Sequence, residues 1–138
     1  MTNAEKKAVL ARYRGSERRI ARLIDEKKRW KEKAIAISPV YSDMPKAGGE
    51  DKIQGAVCRI VELEQEIDLE IDAQVDLRRR IETAVDDIED ERLRDIIRYR
   101  YIDGLTWERI AVEMELTYQW VCKLHGDALK EICLLDSN

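Results

Sequence analysis

Apolar and small residues recur along the first part of the chain with a long, even period. From about Asn3 to Ile37, the residues Val9, Tyr13, Ser16, Ile20, Leu23, Lys27, Trp30, Ala34 and Ile37 fall on one stripe. Their spacing of about 3.5 residues is that of a coiled-coil seam, with Lys27 as the exception. Thr2 and Glu5 form a capping box in which two side chains satisfy two orphan amides reciprocally. At ~1.5 Å per residue such a helix is roughly 50 Å long. Pro39 disfavours helical geometry at Ser38 and is expected to end the helix there. Residues 38–50, SPVYSDMPKAGGE, hold both prolines and a Gly-Gly pair, and read as a loop. A second long helix is expected from about Asp51 to at least Ile88. Its seam is Ile53, Val57, Ile60, Ile67, Ile71, Ile81, Val85 and Ile88, interrupted by Glu64, Gln74 and Arg78.

Past Glu91 the pattern changes to three short helical units. Leu93, Ile96, Ile97 and Tyr101 make the apolar face of the first, and Asp103-Gly104 stops it, glycine suiting the left-handed position after a helix. Thr106 caps the next helix, about Trp107 to Met114, with Glu108 well placed in its first turn. Glu115 and Leu116 make a turn, Thr117 caps again, and a last helix runs from Tyr118 to about Cys133. In this spacing Ile110, Ala111, Met114, Leu116, Val121 and Leu124 occupy the packing positions of a helix-turn-helix. Glu115 stands where such turns usually have Gly or Asn, at a cost of ~1 kcal/mol if its φ is positive. Gly126 lies inside the last helix, where glycine costs ~1 kcal/mol relative to alanine, so close approach of another backbone is expected there.

Charge divides the chain in the same way. Residues 1–37 carry net +7, residues 50–92 net −9 and residues 93–138 net −2. Opposite signs steer the two long helices together and disfavour self-pairing of either, so an antiparallel hairpin is predicted. Two helices bury little by themselves, and a dimer that makes a four-helix bundle follows. The expected class is therefore all-α: a long antiparallel, coiled-coil-like hairpin and then a helix-turn-helix. The expected division is 1–90, for oligomerisation and partner contact with a loop at 38–50, and 91–138 for DNA binding.

Composition narrows the chemistry. Charged residues make up 39% of the chain and phenylalanine is absent, which suits amphipathic helices better than strands. No apolar run approaches the ~18 residues of a membrane span, and the N-terminal residues are polar and basic, so a location inside the cell is expected. Cys58, Cys122 and Cys133 have no metal-ligand spacing and read as small buried or half-buried thiols. The single histidine, His125, leaves little for a triad or a metal site, and the carboxylates sit at solvated helix spacings. No enzyme activity and no cofactor are expected.

The stretch from Arg92 to Ile132, RLRDIIRYRYIDGLTWERIAVEMELTYQWVCKLHGDALKEI, resembles the C-terminal promoter-reading domain of bacterial sigma factors. Within it, RYRYIDGLTWERIA and KLHGDALKEI resemble more closely the phage-encoded, sigma-like late-transcription regulators of the ArpU and RinA type. The loop SPVYSDMPKAGGEDKI and the helix before it are similar to the same group. The resemblance implies a phage or prophage origin, a transcriptional role and action in the cytoplasm of a bacterial host.

In a helix-turn-helix the N-terminal part of the second helix enters the major groove. Val121 and Leu124 set its inward face, which leaves Tyr118, Gln119, Cys122 and Lys123 toward the groove, with Trp120 beside them. Thr106, Arg109 and Thr117 complete the candidate contacts to double-stranded DNA. In the sigma domains these positions are commonly arginines, so the aromatic residues change the contact chemistry. The arginines of the first helix, Arg12, Arg18, Arg19 and Arg22, either add phosphate contacts or pair with the acidic second helix. Two other classes compete with a DNA-reading regulator. One is an adaptor that touches RNA polymerase without reading bases; the other is a phage DNA-packaging subunit of the small-terminase kind, separable by its ring stoichiometry.

Overall fold

The computed structural model describes residues 1–43 and 47–134. Among them the chain is helical, in the order α1 (Asn3–Asp43), α2 (Ala47–Asp86), α3 (Glu91–Ile97), a π-helical turn (Arg98–Ile102), α4 (Trp107–Met114) and α5 (Tyr118–Glu131). No helix of the described residues is long and apolar enough to cross a membrane. The capping box forms at the start of α1: Thr2 N donates to Glu5 Oε2 at 2.7 Å, and Glu5 N donates to Thr2 Oγ1 at 3.1 Å.

Pro39 does not end α1, which continues to Asp43. Proline removes one intrahelical hydrogen bond and disfavours helical geometry in the residue before it, but forbids neither. The remainder of the 41-residue helix outweighs that local cost. α2 likewise begins at Ala47, inside the stretch expected to be a loop, and residues 44–46 of that stretch lie outside the described residues.

The chain forms two compact units, Met1–Ser16 with Gln74–Asn138, and Glu17–Ala73. The first unit is therefore larger than the expected 91–138 segment. Its core shows why: Leu10 and Tyr13 of α1 and Leu77, Ile81 and Val85 of α2 are buried with Leu93, Ile96 and Ile97 of α3 and Val121 and Leu124 of α5. Short helices alone bury too little, and the ends of the long helices supply the missing apolar surface. Ser16, buried here, gives its hydroxyl proton to the Tyr13 carbonyl at 2.6 Å. Lys6 Nζ donates to the carbonyls of Leu129, at 2.8 Å, and Lys130, at 3.4 Å. It thereby meets acceptors that the last turn of α5 leaves open, at the negative end of the helix dipole.

The second unit is an antiparallel helical hairpin. Rising residue numbers on α1 meet falling numbers on α2: Arg19 pairs with Glu70 at 3.4 Å, and Lys27 pairs with Glu64 at 3.2 Å. Lys27, the charged exception in the seam, is thus half-buried with a carboxylate partner. Arg59 reaches Glu26 at 2.9 Å, Glu62 at 3.2 Å and Glu66 at 3.6 Å. On α1 the predicted seam faces inward, with Ile20, Leu23, Trp30, Ala34 and Ile37 half-buried. The α2 seam needs correction. Ala56, Ile60, Leu63 and Ile67 face α1, whereas Val57 and Ile71, placed on the seam by the sequence, are exposed. Ile53, Ile60 and Ile67 of the predicted seam do pack, and next to them it is the residue one position before Val57 or Ile71, Ala56 or Glu70, that turns inward.

Candidate nucleic-acid interface

The helix-turn-helix of α4 and α5 is built by local hydrogen bonds at each boundary. α3 is capped by Asp90, whose carboxylate accepts from Arg92 N at 2.9 Å. The π-helical turn closes with Asp103 N donating to the Arg98 carbonyl at 2.9 Å, and Gly104 follows with φ of +72°. A Cβ on Gly104 would meet only the Arg14 guanidinium, the far end of a flexible side chain that can move aside, so it is the positive φ that calls for glycine there. Thr106 caps α4 by accepting from Arg109 N, and Thr117 caps α5 by accepting from Trp120 N, each at 3.2 Å. Between them Glu115 adopts the left-handed conformation, φ 56° and ψ 43°, and Leu116 N closes the turn on the Ala111 carbonyl at 2.9 Å. The strain foreseen for a non-glycine residue in this turn is therefore present.

These boundaries fix which side of α5 is available. Val121, Leu124, His125, Ala128 and Leu129 are buried, and Ile110 of α4 is fully buried against the same core. Tyr118, Gln119, Cys122 and Lys123 are exposed on the other side, and Trp120 is 40% exposed. Trp120 is not a core residue: its ring carries the Lys123 ammonium 4.6 Å from the centroid. Cys122, one turn on, raises the pKa of the Tyr118 hydroxyl, chiefly through the charge its sulfur can carry and then through hydrogen bonding. On α4, Arg109 pairs with Glu113 at 2.7 Å and remains largely exposed. Thr106 and Thr117 are exposed at the N-termini of α4 and α5, where backbone amides and helix dipoles favour an anion.

Two expectations fail in this region. Cys122, and likewise Cys58 and Cys133, are exposed rather than buried. Cys122 belongs to the outward side of α5, which faces no other helix among the described residues. Gly126 meets no backbone: a Cβ built there has nothing within 4 Å, because the position flanks the buried stripe rather than lying in it.

Sequence reasoning missed what supports α4 and α5 from behind. His125 is buried, with Nε2 sharing a 2.7 Å hydrogen bond with the Tyr101 hydroxyl. The Trp107 ring meets the imidazole edge-on at 4.6 Å, and the Arg100 guanidinium lies 4.5 Å above Trp107. Burial, with Lys7 and Arg100 adding to it, pushes the His125 pKa down to about 4. Burial also pushes Tyr101 up to about 12, against the opposing influence of Arg100. The signal for an inward histidine was available, since 121, 124, 125 and 128 share one helical face; its three partners come from other segments and carry no local signature.

Residues 90–132 match the family model described as Sigma-70, region 4, a promoter-reading helix-turn-helix that is a DNA-binding module and not a catalytic one. The match spans α3 to α5 and both capped turns. Comparison with curated proteins and with solved structures gives no match.

Proposed function

We propose, starting from the region 4 match, that the protein is a sequence-specific regulator of phage or prophage transcription that reads double-stranded DNA with the N-terminal half of α5. The observation that carries this reading is the row of exposed polar side chains there, on a helix whose opposite side is locked into the core. Gln119 pairs bidentately with adenine, and Lys123 donates to guanine or to phosphate. Tyr118 and Trp120 offer surface to thymine methyls or sugar, beside Cys122. Thr106, Arg109 and Thr117 meet phosphates at the two helix starts. Arg109 exchanges Glu113 for a phosphate on binding. Residues 1–90 join two copies, and the dimer raises the affinity of an acidic reader through effective concentration. The site of action is the cytoplasm of a bacterial host.

The test is binding to DNA flanking the protein's own gene cluster, located first by nuclease footprint. Gln119→Ala costs ~1–3 kcal/mol at the footprinted site and little on random DNA. Lys123→Ala weakens both and lowers the salt slope by about one. If neither substitution changes binding by a folded protein, α5 is not the reader. One observation favours a second reading, an adaptor on RNA polymerase: residues 93–138 carry net −2, which suits phosphate poorly. Binding of purified polymerase without DNA, and no footprint, selects the adaptor.

A further inference from the structure

The two sides of the hairpin formed by Glu17–Ala73 differ in chemistry. α1 turns Ile20, Leu23, Lys27, Trp30 and Ala34 toward α2, and α2 turns Ala56, Ile60, Leu63 and Ile67 toward α1. Residues one position before these seams lie on one side of the hairpin, and residues one position after lie on the other. The rule holds for both helices together, because reversing a right-handed helix also reverses the sense in which its residues advance. The first side is ionic: Glu26, Arg59, Glu62 and Glu66 are bonded to one another across it. The second side carries Ile24 and Ile35 of α1, 49% and 70% exposed, and Val57, Val61 and Ile71 of α2, 49%, 46% and 39% exposed. Between them stand the exposed Lys28 and Lys31 on α1 and Glu64 and Asp68 on α2.

We infer that this second side is the surface on which two copies of the chain pair, with α1 of each copy lying on α2 of the other. Charge selects both occupant and orientation. Each helix offers isolated aliphatic residues flanked by one sign, basic on α1 and acidic on α2. A second copy turned about an axis parallel to the helices sets Lys28 and Lys31 beside the partner's acidic column. A copy turned about an axis across the hairpin would set lysine on lysine and carboxylate on carboxylate. The selected arrangement is a four-helix bundle with antiparallel neighbours, and it covers the five aliphatic residues. It gives a surface to the dimer proposed above and rests on that reading for its role in DNA binding.

Sedimentation equilibrium of the full chain tests this, with circular dichroism to verify helix content. The wild type is expected to be dimeric at micromolar concentration. Val61→Lys weakens association by about 100-fold or more, because position 61 is level with residues 28–31 of α1 and the new ammonium is buried against Lys28 and Lys31 of the other copy. Leu69→Asp, at a 70% exposed position outside this strip, leaves association unchanged. The orientation is tested by a Lys28→Glu/Lys31→Glu chain and a Glu64→Lys/Asp68→Lys chain. Each associates poorly alone, and the two combine when mixed. If α1 lay on α1, inverting a column would still leave like facing like, and each variant alone would associate as the wild type does. That result overturns the orientation, and a monomeric wild type or a Val61→Lys chain that still dimerises overturns the surface. Because stoichiometry is read without DNA, a monomer that still protects its operator defeats the dimer and leaves the DNA reading intact.

Discussion

The two compact units are built from the same two long helices yet bury very different amounts of apolar surface. In the unit that holds α3 to α5, both long helices contribute fully buried side chains, Leu10 and Ile81 among them, to one continuous core. In the hairpin unit, Ala56, Leu63 and Ile67 are the buried hydrophobic residues among those described, and the inward residues of α1 are only half-buried. A heptad seam is enough to align two helices; a core needs a third layer. The first unit gains that layer from α3 and α5, and a second copy is what would supply it to the hairpin.

The largest difference between the units is expected on truncating a side chain in the core. Ile96→Ala, at a fully buried position, costs about 2–5 kcal/mol through lost burial and a residual cavity. Leu69→Ala in the hairpin stays within about 0.5 kcal/mol. Urea unfolding of both variants checks this, and equal costs would mean that the two units do not differ in the way described. Next in size is an acid effect confined to the first unit. His125 is held neutral by burial, with its folded pKa near 4 against about 6.5 for the unfolded chain. The unfolded state therefore binds the extra proton between those values. The contribution is complete above about pH 6.5 and is lost as pH falls toward 4, up to about 3 kcal/mol in all. As the sequence has a single histidine, its proton resonance can be followed alone, and a midpoint near 6.5 would show that Tyr101 and Trp107 do not shield it. The smallest effect sharpens the contrast at one residue. Glu115→Gly relieves the left-handed strain in the turn and stabilises the unit by less than about 1 kcal/mol, after the entropy that glycine adds to the unfolded chain. A melting temperature raised by up to about 4 °C is expected, and a lowered one would mean that the Glu115 side chain contributes more than its backbone costs.

What was legible in the sequence was what local chemistry decides. The caps at Thr106 and Thr117, the stop at Gly104 and the inward Val121 and Leu124 each depend on residues within a turn or two, and each stands where the sequence placed it. The antiparallel hairpin was legible from charge, since opposite net charges on two long helices leave few other arrangements. Pro39 misled because its cost of ~3 kcal/mol is read locally, whereas a long helix decides its ends over many residues. Val57 and Ile71 misled because, after the inward Ile53 and Ile67, a residue three or four positions on can face the partner, and apolar character alone does not say which. The support behind the reader was hidden for a different reason: His125, Tyr101, Trp107 and Arg100 form one cluster only after three helices have met. Tyr118, Gln119 and Lys123 are exposed on α5 as their spacing from Val121 and Leu124 implied, whereas Cys122 was read both as outward and as a buried or half-buried thiol, and its exposure settles that conflict.

The bond from Lys6 to the end of α5 has a consequence for how the molecule is made. Its two ends are separated by 123 positions, so this unit is discontinuous and the hairpin is an insertion within it. During synthesis Leu10 and Tyr13 emerge early and Val121, Leu124 and Leu129 late. At about 5–20 residues per second the early pair waits roughly 6–25 s for the surface that covers it. Helix formation takes about a microsecond, so α1 and α2 are complete long before the reader exists. The order of assembly is therefore hairpin first and the unit that carries the helix-turn-helix last, so the proposed pairing surface forms before the proposed reader of DNA.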